Sequence, residues 1–278
     1  MAKPSRIGMS LLFDYMAPVL TTLAASSLFA ILLTPENPSF KIREPPLSQS
    51  LLTSVVFSAL GFLLTLGIWW LNTRGLNLEA KIIMVSLTTP ILGVAFLLVS
   101  QAVITAVWRR LTDQLAAILI LATIYITLFL ELLLIADIPG KRLKNIILLA
   151  YGSIFSAAFG IRLPLVTVVT ICILLSVFDM LFIKLYGKVI VSKPRHKVPQ
   201  ISYSGSWVEF GIGEILFYSL PSSACLYKAG LSYGFLSILL VVVGTGINIL
   251  LLSRRRVIPG LSIPLTLGCI PLIASITV

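Results

Sequence analysis

Nine apolar runs, each about as long as a bilayer crossing, follow one another along this chain with only short polar stretches between them. They lie near 16–33, 51–71, 82–107, 115–135, 146–161, 164–186, 207–224, 231–252 and 258–277. About 20 apolar residues cross a membrane as a helix. Backbone groups in lipid must bond within their own segment, so helix is the element these runs can form. The expected fold is an all-α polytopic membrane protein with about nine transmembrane helices in a single membrane domain, 1–278. Charged residues make up 11% of the chain, against about 25% in an ordinary soluble domain. Nine spans use about 180 positions and leave loops of about ten residues. No soluble catalytic domain fits, so any chemistry must lie within the membrane or at its edge. The first run is too long for the core of a cleaved signal and similar runs follow it, which reads as a retained span.

Lysine and arginine set the expected orientation. The N-terminal tail and the second, fourth, sixth and eighth loops hold 15 of them, and the opposite side holds six. The N-terminus is expected in the cytoplasm and the C-terminus outside. The net charge of +11 then faces anionic lipid rather than nucleic acid. Cys172, Cys225 and Cys269 lie in or beside separate apolar segments without a CxxC pair, which argues against disulfides and thiolate metal sites. No cofactor or metal is expected.

Acids inside spans are informative, because a charge near the bilayer centre costs at least about 2.5–3.5 kcal/mol. Glu131 and Asp137 fall near the end of the fourth span and read as interfacial, and Glu209 stands two residues into the seventh. Asp179, in Ser-Val-Phe-Asp-Met, and Glu214, in Gly-Ile-Gly-Glu-Ile, have no such explanation. Each lies seven residues from the expected cytoplasmic end of its span, about 10 Å deep at 1.5 Å per residue. Gly211 and Gly213 beside Glu214 are expected to let a neighbouring backbone come close. Two carboxylates at one level cannot both ionise easily and share a proton. One can then act as general base on water and the other as general acid. On spacing alone, an aspartyl protease, a proton-coupled transporter and a structural role all remain open.

The residues also resemble a family. Leu175-Ser176-Val177-Phe178-Asp179 is similar to the sixth-helix tyrosine–aspartate motif of presenilins and signal peptide peptidases. Gly211-Ile212-Gly213-Glu214, continuing to Phe217-Tyr218-Ser219, resembles their GxGD motif. Pro259-Gly260-Leu261 resembles their Pro-Ala-Leu motif. Order and spans agree over about 172–268, and the short loops look like those of a prokaryotic, archaeal-type presenilin homologue. The resemblance implies an intramembrane aspartyl endopeptidase cutting single-span membrane proteins. Helices one to five would occupy 1–161 and the catalytic helices six to nine 162–278. Asp179 and Glu214 would be catalytic. Gly211, Gly213, Tyr218, Pro259, Gly260 and Leu261 would contact substrate, although Tyr218 reads equally as a packed aromatic. Partners would be substrate transmembrane helices and the lipid bilayer; a homo-oligomer is compatible with the sequence.

Three departures stand out. Phe178 takes the place of Tyr, Gly260 that of Ala, and Glu214 that of the second Asp. The extra methylene of Glu214 displaces its oxygens by about 1 Å, a shift that can cost about 100-fold in rate. Restoring the family residue with Glu214→Asp is therefore expected to preserve or raise activity. A zinc protease would need HExxH, and a Ser–His protease an embedded histidine. The one histidine, His196, lies in the basic 193–197 loop. A proton-coupled secondary transporter and an inactive presenilin-like scaffold are the competing readings.

Overall fold

The computed structural model describes residues 4–32, 45–108, 113–136, 138–192, 202–204, 209–254 and 259–277. Ten helices make up nearly all of it: α1 (Pro4–Leu32), α2 (Leu47–Thr73), α3 (Asn77–Trp108), α4 (Asp113–Ile135), α5 (Lys141–Arg162), α6 (Leu165–Ser192), α7 (Ile212–Tyr218), α8 (Leu220–Lys228), α9 (Leu231–Arg254) and α10 (Ser262–Thr277). The exception is a short antiparallel ladder, β1 (Ser202–Ser204) against β2 (Glu209–Gly211). Among the described residues, α1, α2, α4, α5, α6 and α9 are long and apolar enough to cross a membrane. The chain is a helical membrane protein. Shorter apolar stretches occupy Leu92–Gln101 of α3 and Ser262–Ile276 of α10.

The seventh expected span, 207–224, is not one helix. β2 ends at Gly211, α7 lasts seven residues, and the chain turns at Ser219 before α8 begins. Pro221 explains the break. It has no N–H for the Phe217 carbonyl, and its ring crowds that turn. Backbone groups freed in an apolar interior need new partners, and nearby hydroxyls supply them. Ser156 of α5 donates to the Leu216 carbonyl. At the start of α8 the Ser219 carbonyl accepts the Ser223 N–H at 3.0 Å and also the Ser222 and Ser223 hydroxyls at 2.9 Å each.

Several helices are inverted relative to those of a soluble protein, with small polar groups inside and large apolar ones outside. On α4, Thr123, Thr127 and Glu131 are buried while Ile118, Leu121, Tyr125, Phe129 and Leu132 are exposed. Both stripes have helical spacing, and the outer one suits lipid. Glu131 therefore points into the bundle. It is 4% exposed and accepts the Thr89 hydroxyl of α3. Asp137 lies outside the described residues, as does His196. Glu209 belongs to β2 rather than to a span. On α2, Ser50, Ser54 and Ser58 form the buried stripe that meets α6, as small residues do at helix interfaces in membranes.

The centre of the molecule is α5, in which every residue from 151 to 158 is buried. It packs against α1, α3, α7 and α8. Gly152 allows the approach of α7: a Cβ there would come within 2.8 Å of the Ile215 carbonyl oxygen. The three cysteines, apart in sequence, meet in one apolar cluster contributed by α6, α8 and α10, and all are free thiols.

Candidate active site

Between α9 and α10 the described chain resumes at Pro259, and residues 259–261 precede the first turn of α10 without being helical. Proline has no N–H to offer a helix ladder, and Gly260 removes a side chain from a buried position. The backbone here is held from several sides. The Gly260 carbonyl accepts Asn248 Nδ2 of α9 at 2.6 Å and the Tyr218 hydroxyl of α7 at 3.3 Å. Tyr15 of α1 is hydrogen-bonded to the side chains of both Tyr218 and Asn248. Two helices, α7 and α9, therefore hold one carbonyl, and α1 ties their two side chains together.

Both acids singled out in the sequence reach this segment. Asp179 Oδ2 accepts the Leu261 N–H at 2.8 Å. The Ser262 hydroxyl stands 3.4 Å from the same oxygen and 2.9 Å from the Ser176 carbonyl, its nearer acceptor. Glu214, in the first turn of α7, lays its carboxylate against Gly260. The carboxyl groups of α6 and α7 thus meet consecutive residues, whose Cα atoms lie about 3.8 Å apart. α6 continues thirteen residues beyond Asp179, to Ser192, so the helix does not end at 186, the point from which the depth of Asp179 is counted. Both acids meet the 259–262 segment.

The other expected positions divide. Gly260 and Leu261 are in the constellation, Leu261 also packing into two apolar clusters. Pro259 is half-buried at its start. Tyr218 is 1% exposed, so it is a packed aromatic that holds the Gly260 carbonyl, not a residue open to substrate. Gly213 corrects another expectation. A Cβ there would meet nothing within 4 Å, so among the described residues no neighbouring backbone uses its missing side chain. Gly211 is not helical but pairs with Ser202 in the ladder. Phe178 stacks on Phe62 of α2 with ring centroids 4.7 Å apart.

Sequence reasoning missed Asn248, Ser262 and Tyr15. Asn248 left a readable signal, being the only amide between Leu231 and Leu252; an amide in such an apolar run needs a polar partner. Ser262 directly follows the Pro-Gly-Leu segment. Tyr15 gave no signal short of the fold. Replacing Asn248 by Leu is expected to destabilise the protein by about 1–3 kcal/mol, because a buried carbonyl loses its nearer donor. Thermal unfolding in detergent checks this; an unchanged midpoint would show that the segment does not depend on Asn248.

No family model matches the chain, and no curated protein matches it.

Proposed function

We propose that this chain is an intramembrane aspartyl endopeptidase that hydrolyses peptide bonds of single-span membrane proteins, with Asp179 and Glu214 as its acid–base pair. The observation that carries the reading is that carboxylates from two different helices reach consecutive residues of one non-helical segment inside an apolar protein. Two isolated carboxylic acids in such surroundings are costly unless paired or used.

In the proposed reaction, one carboxylate takes a proton from water as the water oxygen attacks the substrate carbonyl. The other carboxyl donates its proton to the amide nitrogen as the C–N bond breaks. The products are a carboxylic acid and an amine, which end as carboxylate and ammonium when the acid's proton passes to the amine, and the pair is left with its single shared proton. A substrate helix must unwind to expose that carbonyl. The β1–β2 ladder, which runs directly into α7, offers strand edges on which unwound backbone can pair. The proposed topology has nine crossings, the N-terminus in the cytoplasm and the C-terminus outside.

The test is purified protein in liposomes with a single-span reporter peptide, read by mass spectrometry across a pH series. Cleavage within the apolar segment is expected. Its rate should rise as the pair loses its first proton and fall as it loses the second, giving a bell. A monotonic profile would count against a shared proton. Proton-coupled solute uptake without cleavage would favour a transporter, a reading that the interrupted α7–α8 segment and the buried Glu131 also fit. Reporter binding without either activity would indicate a scaffold.

A further inference from the structure

Gly260 is buried, yet its backbone does not require glycine. Among the described residues, only Gly75 and Gly230 have the positive φ that favours it. What the missing side chain provides is space, and that space is occupied. A Cβ on Gly260 would collide with Glu214 Oε1 and lie 2.8 Å from its Cδ and 3.5 Å from its Cγ. The segment cannot simply retreat, because Asn248 and Tyr218 hold the Gly260 carbonyl and Asp179 holds the next N–H.

We propose that Gly260 is a positioning residue for Glu214, the two forming a size-matched pair in which the absent methyl makes room for the longer carboxylate. The proposal rests on the protease reading for its consequence, though not for its geometry. A methyl at 260 would take the place now filled by the carboxylate end. That end is flexible, so the fold survives while the oxygens move away from Asp179's partner segment. Conversely, aspartate at 214 stops about one methylene short and leaves the space over Gly260 unfilled. A reacting group misplaced by about 1 Å can lose about 10²-fold in rate. Glu214→Asp alone is therefore expected to lower activity, reversing the expectation from family resemblance. The two departures at 214 and 260 then form one coupled change.

The experiment is a four-member cycle: the unaltered chain, Gly260→Ala, Glu214→Asp and the double variant. Each is measured for reporter cleavage in liposomes and for thermal midpoint in detergent. Each single variant is expected to lose about 100-fold in kcat with little change in KM. The double variant should return to within about tenfold of the unaltered rate, with its bell-shaped pH profile restored. Gly260→Ala should also lower the midpoint by about 2–4 °C, most of which the double variant regains. Losses that simply multiply in the double variant, with midpoint changes that simply add, would overturn the pairing. If no member cuts the reporter, the protease reading fails and the midpoints still decide the pairing: coupled shifts support it and additive ones overturn it.

Discussion

Asp179→Asn is expected to lower reporter cleavage by about 10²–10⁴-fold, the usual contribution of a positioned acid or base, while the protein stays folded. The amide has nearly the shape of the carboxylate, and its oxygen can still accept the Leu261 N–H now bound at 2.8 Å. What it loses is the capacity to take and return a proton. Asp179→Ala would remove the chemistry and the anchor of the 259–262 segment together, so its loss of activity would be harder to assign. The measurement pairs turnover in liposomes with a thermal midpoint, expected within about 2–4 °C of the unaltered protein, a change of about 1 kcal/mol. More than a tenth of the original turnover in Asp179→Asn would remove this residue from the chemistry.

The second large effect is a contrast in sign between two glycines of α9. Glycine inside a helix is normally worse than alanine by about 0.5–1 kcal/mol. Gly246 follows that rule, since a Cβ there would meet nothing within 4 Å, and Gly246→Ala is expected to stabilise. At Gly244 a Cβ would come within 2.7 Å of Pro264 Cα and 3.0 Å of its nitrogen. These are backbone atoms and cannot swing aside. Gly244→Ala must push α10 away from α9, an overpacking that costs about 1–3 kcal/mol. Because Pro264 follows Ser262 by two residues, the displacement reaches the partners of Asp179. Turnover is expected to fall with stability in Gly244→Ala and to persist in Gly246→Ala. Equal midpoints for the two variants would show that α9 and α10 are not in tight register.

Much of this architecture can be read from the residues, for definite physical reasons. Apolar runs identify helices because lipid leaves the backbone little choice, and Asp179 and Glu214 stand out because charge is expensive there. Pro221 was equally visible, but the seventh run is apolar on both sides of it, so hydropathy alone reads one span where the structure has two helices and a turn. Gly213 shows the opposite limit. Glycine is informative only where something occupies the space it leaves, and its identity does not disclose the neighbour. Gly260 meets a carboxylate, Gly152 a carbonyl and Gly213 open space. Glu131 shows a further limit, since its place near the end of a run says nothing about which face of the helix it occupies, and only the packing of α4 on α3 shows it facing inward. Tyr15, Tyr218, Asn248 and Gly260 belong to separate stretches of sequence, and only the packing of α1, α7 and α9 makes one hydrogen-bonded group of them.

The hydrogen bond from Leu261 to Asp179 links residues 82 positions apart, and that separation sets an order of events during synthesis. Helices α1 to α6 can enter the bilayer while the 259–262 segment has yet to be made. Until it arrives, Asp179 lacks its backbone partner and Glu214 lacks the surface against which it rests. For the protease proposed above, whose substrates would be transmembrane helices, the first such helices it meets are the unpacked ones of its own chain. On that reading, completing the acid pair with a segment translated after α1 to α9 would keep the nascent protein inert until those helices have packed.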